Sequence, residues 1–166
     1  MFNISKLSTR YSVFFMNDSD VDDILDFCLQ NTEYYDYCKK QPSRELIIND
    51  MHMLPPNTRA DSKYYVGFYD NKFLVAIMDL IYGFPDQETA FIGFFMTNKQ
   101  IQGKQIGSAV IQEVGQYLKE TGIKKIRLGI DKGNPQSTHF WLKNDFEVVN
   151  EVKQADGTIL VAEKLL

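Results

Sequence analysis

Apolar and polar positions recur with two different periods along this chain, and the switches between them mark its elements. Ala90 to Met96 is an apolar, strand-like run. A polar loop follows, with glycines at Gly103 and Gly107. Then Ile106, Ala109, Val110, Val114, Tyr117 and Leu118 recur at the spacing of a helix with one buried face. Gly122 supplies a left-handed stop.

The same reading carries along the rest of the chain. Tyr11 to Met16 reads as a first strand, and Asn17 to Asp20 offers helix caps. Val21, Ile24, Leu25, Cys28 and Leu29 follow helical spacing, with Cys28 as a small core residue. Pro42 to Glu45 opens a second helix with Leu46, Ile47, Met51 and Leu54 on its apolar side, stopped by Pro55-Pro56. Lys63 to Tyr69, Phe73 to Ile81 and Thr89 to Met96 read as strands, joined by turns at Asp70-Asn71 and Gly83 to Asp86. Lys124 to Ile130 is a strand. Asn134-Pro135 caps a helix to about Lys143, and Phe146 to Val152 and Thr158 to Leu165 form a hairpin about Ala155-Asp156-Gly157. The order β-α-α-β-β-β-α-β-α-β-β predicts a single α+β domain over residues 1–166. Its sheet is mixed and mostly antiparallel, with helices on both faces.

A strand, a glycine loop and a helix start in succession make a candidate anion cradle. The first amides of a helix lack intrahelical partners, and the helix dipole makes that end partly positive. Gln102 to Ser108 occupies that place. An ordinary strand-helix connection uses the same residues. Gly-Lys-Gln at 103–105 is neither a P-loop nor part of a dinucleotide Gly-x-Gly-x-x-Gly.

The wider segment Gln102-Gly103-Lys104-Gln105-Ile106-Gly107-Ser108-Ala109 resembles the acyl-CoA motif of the GNAT N-acetyltransferase superfamily, Gln/Arg-x-x-Gly-x-Gly/Ala. Downstream, the run from Asn134 through Ser137, Phe140, Trp141 and Lys143 to Phe146 is similar to that superfamily's late Asn-x-x-Ala-x-x-Phe-Tyr-x-Lys-x-Gly-Phe segment. The likeness covers residues 60 to 166 well and the earlier part by element order.

The resemblance implies acetyl-CoA as co-substrate, lying in a gap between the fourth and fifth strands. Its pantetheine arm would pair with the backbone at Phe95, Met96 and Thr97. Its pyrophosphate would sit on Gln102, Gly103, Lys104, Gln105, Ile106, Gly107 and Ser108. Asn134 and Trp141 would stand on the cofactor side. An acceptor amine would attack the thioester directly, with a base taking its proton and an acid protonating the thiolate. Two departures stand out. Gln105 replaces the motif's first glycine, and Trp141 replaces the tyrosine that serves as the acid. Some family members carry a glutamate base on the fourth strand, but Phe91-Ile92-Gly93 holds no acid. Asp79 interrupts the apolar run Ile77-Met78-Asp79-Leu80 and is the better candidate base of the nearby carboxylates, but a solvent-facing strand residue is the reading that its position favours. Glu88 is the next carboxylate. His139 reads as structural.

Asn31 to Gln41 has a different texture, with Tyr34, Tyr35, Asp36 and Tyr37 crowded together without amphipathic period. It is either a half-exposed connection or an acceptor wall whose aromatic faces and carboxylate suit a cationic amine. Composition narrows the partners. The chain of 166 residues has net charge −4 and pI about 5.2, against a large nucleic-acid or anionic-membrane surface. Cys28 and Cys38 form no disulfide framework, and His52 and His139 no metal spacing. No run reaches membrane length, and the first residues are no signal peptide, so the expected location is cytoplasmic. The expected activity is acetyl transfer to an amine of a small molecule or protein. A non-catalytic acyl-CoA-binding module is the alternative. Dimers being common in the family, a homodimer is among the implied assemblies.

Overall fold

The computed structural model describes residues 2–38 and 40–166. Lys39, within the segment read as a connection, and the Cys38 side chain lie outside the described residues. Seven strands form one sheet: β1 (Ser12–Phe15), β2 (Lys63–Asp70), β3 (Phe73–Tyr82), β4 (Thr89–Thr97), β5 (Lys125–Asp131), β6 (Glu147–Gln154) and β7 (Gly157–Leu165). Their spatial order is β1-β2-β3-β4-β5-β7-β6, and every neighbouring pair is antiparallel except β4 with β5. Five α-helices accompany them: α1 (Val21–Leu29), α2 (Thr32–Cys38), α3 (Arg44–His52), α4 (Ile106–Glu120) and α5 (Pro135–Lys143). The expected α+β architecture is therefore present.

One helix departs from the expected order. The crowded tyrosine segment contains α2 and is not simply a connection. It runs only two turns and buries one ring, Tyr35, at 6% exposure. Two turns are too few for a 3.6-residue period to show. The second predicted helix is also shorter than expected. Ser43 Oγ accepts from Leu46 N at 3.1 Å to start α3, but Met53 is already extended, so Leu54 falls outside it.

The sheet separates two apolar clusters. On one face Val110, Ile111, Val114 and Leu118 of α4, with Trp141 of α5, pack on Val66, Phe68, Met78, Ile92 and Ile126. On the other, Val21, Ile24, Phe27 and Cys28 of α1 and Ile47 and Met51 of α3 pack on Tyr65, Ile77 and Met96. Burial pushes the Cys28 thiol up to about 11, which suits an inert core residue. β6 is an edge strand exposed along its whole length.

β4 changes face partway along. Its register with β3 slips between Asp79↔Phe94 and Leu80↔Ile92, so Gly93 has no opposite number. Such a bulge inverts the alternation beyond it. Ala90 and Ile92 join the α4 cluster, whereas Met96 joins the α1 cluster with Phe94 packed beside it. β4 and β5 pair only from Thr89↔Lys125 to Ile92↔Leu128. Past the bulge they diverge and the sheet opens.

The N-terminal loop is clamped to α4 by Glu113. Its carboxylate accepts from Ser8 Oγ at 2.5 Å, Thr9 Oγ1 at 2.8 Å and Thr9 N at 3.2 Å, and pairs with Arg10 at 3.2 Å. Burial alone would raise its pKa, but these hydrogen bonds and the Arg10 charge hold it below the usual value. A depressed carboxyl stabilises the fold above the unfolded-state pKa, about 4.3, and loses that contribution as pH falls through the folded value. Glu113→Gln is expected to cost ~1–3 kcal/mol in urea unfolding at neutral pH. The two proteins should converge in acid; equal stability at neutral pH would refute the clamp.

Candidate active site

Two clefts open on either side of the gap between β4 and β5. The first, of about 380 Å³, lies between the end of β4, the start of α4 and one side of α5. Of the residues expected to hold acetyl-CoA, it brings together Phe95, Met96, Thr97, Gln102, Gly103, Gln105, Ile106, Gly107, Ser108 and Trp141. Lys104 is exposed beside it. Asn134 is 2% exposed and its Oδ1 accepts from Ser137 N at 3.0 Å, capping α5, so it does not line the wall.

The loop geometry explains how glutamine stands where the motif has glycine. Gln105 lies at φ +61°, ψ +10°, in the left-handed region that a glycine would adopt without penalty. It makes no side-chain cap. The first intrahelical bond runs from Ala109 N to Gln105 O at 3.0 Å, so the amides of Ile106, Gly107 and Ser108 lie ahead of it, free to face an anion. Gly107 is needed for space. A Cβ there would lie 3.0 Å from Thr97 Cγ2 and 3.2 Å from Phe140 Cε2. The Gln102 side chain is turned inward, donating to Asn31 Oδ1 at 2.6 Å and Thr97 O at 3.2 Å, which ties the loop to the segment before α2.

Along the far wall Phe95 stacks on Phe140 at 5.9 Å, and Trp141 packs edge-on against Phe140 at 4.9 Å and Phe146 at 5.0 Å. Trp141 is 7% exposed and serves as a wall of the core. His139, read above as structural, is exposed and lines the cleft, as does Lys143. No carboxylate lines this cleft among the described residues. Free helix amides, a cation and a flat aromatic wall fit a phosphate-bearing acyl carrier.

The second cleft, of about 710 Å³, has the opposite character. It gathers Asp50, Asp79, Asp131 and Asp156, with Lys40 and Lys63, and all of Tyr34, Tyr35 and Tyr37. Tyr34 lines both clefts and packs edge-on against Phe94 at 6.0 Å.

Asp79 is not solvent-facing. It is 7% exposed on the α1 side of β3, and Lys63 Nζ donates to its Oδ2 at 2.8 Å and to Met53 O at 2.8 Å. Its Oδ1 is buried with no hydrogen-bond partner among the described residues. A Cβ on Gly93 would lie 2.7 Å from Oδ2. The carboxylate of β3 therefore fills the space that a side chain on β4 would take. Burial pushes its pKa up, the Lys63 charge and hydrogen bond pull it down, and the Asp50 charge raises it again; the balance is upward. Glu88 is exposed and pairs with Lys124.

Residues 24–146 match the model of the acetyltransferase (GNAT) family. The chain belongs to that family. A search of curated proteins finds no match. Solved GNAT folds are similar throughout. An acetyltransferase from Thermus thermophilus superposes with TM-score 0.75 at 16% identity, covering 94% of this chain and 97% of that one. PaiA N-acetyltransferase from Thermoplasma acidophilum, in complex with coenzyme A, gives 0.66 at 16%, covering 94% and 99%. AAC(6')-Ib, in complex with ribostamycin and coenzyme A, gives 0.71 at 13%, covering 93% of each chain.

Asn31, Lys63, Gly93, Asp50 and Asp131 escaped the sequence reading of this GNAT site. The space beside Asp79 that Gly93 leaves depends on strand register, which no local pattern carries. Among the described residues no group of three His, Cys, Asp or Glu side chains could hold a metal ion, and no helix is long and apolar enough to cross a membrane.

Since the backbone at 105 already holds the cradle conformation, Gln105→Gly is expected to relieve ~1 kcal/mol of strain and raise the melting temperature. Coenzyme A affinity by calorimetry should stay nearly unchanged. Gly107→Leu should weaken coenzyme A binding at least ~10-fold, ~1.4 kcal/mol; binding unaffected by that change would place the phosphates elsewhere.

Proposed function

We propose that the chain is an N-acetyltransferase that moves acetyl from acetyl-CoA to a cationic amine by direct attack, with Asp79 as base. The observation that carries this reading is the separation of charge. Carboxylates are kept out of the cleft with the helix amides and gathered in the cleft that shares Tyr34 with it. An anionic donor and a cationic acceptor would then approach the open gap from opposite sides. Bound acetyl-CoA supplies the acyl group as an activated thioester. Its phosphates would rest on the Ile106, Gly107 and Ser108 amides near Lys143. Phe95 to Thr97 would offer backbone groups to the pantetheine arm and the thioester carbonyl.

On the acceptor side, the Asp79 carboxylate, which lines the cleft, takes a proton from the ammonium. The amine nitrogen then forms a bond to the acyl carbon, the C–S bond breaks, and the nitrogen's second proton passes through water to the departing thiolate. Trp141 supplies no acid, because an indole N–H is not a useful proton source near neutral pH. A coenzyme A thiolate leaves well without one. The alternative, an acyl-CoA-binding module without turnover, draws on Trp141; the poised carboxylate beside Gly93 favours catalysis. A cytoplasmic location and a homodimer along the exposed β6 edge complete the proposal. Cell fractionation and sedimentation at two concentrations test them.

Asp79→Asn is expected to lower kcat/KM ~10²–10⁴-fold while sparing coenzyme A affinity. The base must be ionised, so activity should fall as pH drops through an Asp79 pKa lying above the ordinary value of about 3.9. Lys63→Met removes the pull downward and should move that acid limb to higher pH. An Asp79→Asn enzyme with full activity and an unchanged limb would exclude this base.

A further inference from the structure

The acceptor cleft holds more negative charge than one amine requires. Asp79 sits on the sheet with Lys63 paired to it. Asp50 comes from α3, Asp131 from the end of β5 and Asp156 from the turn between β6 and β7. Three segments distant in sequence thus each bring a carboxylate to the same cleft. Among the described residues Lys40 is the other cation in its lining, so four carboxylates face two lysines there. Burial pushes Asp50 and Asp131 up, and in each case the Lys40 charge opposes that rise. Carboxylates held partly out of water are relieved by a further cation. Asp79 lines the cleft, and one ammonium would meet its carboxylate there. Asp50, Asp131 and Asp156 have no part in proton removal there. The lining also holds Tyr34, Phe94, Ile81 and Leu54, which offer apolar and aromatic surface to methylene groups.

We infer that the acceptor is a small aliphatic molecule with at least two ammonium groups, one presented to Asp79 and a second held by Asp50 and Asp131. This rests on the acetyltransferase reading and narrows it. Asp50 and Asp131 then determine specificity. A monoamine would reach Asp79 with nothing to hold its far end, whereas a diamine would be gripped at both ends.

The test uses the full chain saturated with free coenzyme A, so that acceptor binding is read without turnover. Calorimetry would compare linear α,ω-diamines of three to eight carbons with monoamines of matching length. At least one diamine should bind ~10-fold or more tighter than its monoamine, a difference of ~1.4 kcal/mol. Asp131→Asn should erase that preference with monoamine binding unchanged, Asp50→Asn should weaken diamine binding more than monoamine binding, and both should leave coenzyme A affinity unchanged. Equal binding of the two series, or equal losses for both in the variants, overturns the second-ammonium site. Acetylation assays on the same amines separate the two proposals. Turnover of monoamines and diamines alike would leave the acetyltransferase reading standing and sink this one. Selective diamine binding without acetylation of any amine would do the reverse.

Discussion

The pairing of β4 with β5 fails after Ile92↔Leu128, and the rest of the molecule is arranged around that failure. A buried backbone N–H or C=O must find a partner. Strands that diverge inside a sheet can persist only where water or a ligand reaches the gap. The cause is local. Gly93 is an extra residue opposite β3, and the bulge turns the following residues over. Phe94 and Met96 then face the α1 cluster, while Phe95 is left to stack on Phe140 along the wall of the gap. One added residue thus opens the sheet, supplies unpaired backbone and reassigns the aromatic side chains around it.

The same residue governs the electrostatics. Side chains on neighbouring strands compete for space across the sheet, and glycine at 93 yields that space to Asp79. A carboxylate buried to this extent is tolerated because Lys63 pairs with it, and Lys63 is in turn satisfied by Met53 O. Removing one partner from such a pair leaves an uncompensated charge, which costs several kcal/mol. The free Oδ1 is a residual cost within the pair.

Legibility in the sequence followed the range of the interactions. The α4 face, the α5 cap at Asn134 and the hairpin closing at Gly157 are local, and their spacing shows them directly. The loop from Gln102 to Ser108 was readable because helix starts have few solutions. α2 was hidden because seven residues cannot display a helical period. Asp79 was visible as an interruption of an apolar run, but its burial was not. That depends on Lys63, sixteen residues away, arriving across the β2–β3 hairpin. Asp50, Asp131 and Asp156 converge only through tertiary folding, and each looks like an ordinary surface acid in its own segment.

The two departures from the family motif have unequal weight once the geometry is known. A motif glycine in a phosphate loop stands for a backbone conformation, and Gln105 holds that conformation at φ +61° with its side chain in solvent. The loss is therefore a modest conformational penalty and not a lost contact, because the anion-facing groups are main-chain amides. A motif tyrosine stands for an atom, the phenolic oxygen, and no conformation of Trp141 can replace it. Its indole is packed among Phe95, Phe140 and Phe146. The first substitution leaves the chemistry of the site intact. The second removes the one hydroxyl that the motif places beside the leaving group, and an indole N–H offers no proton in its stead.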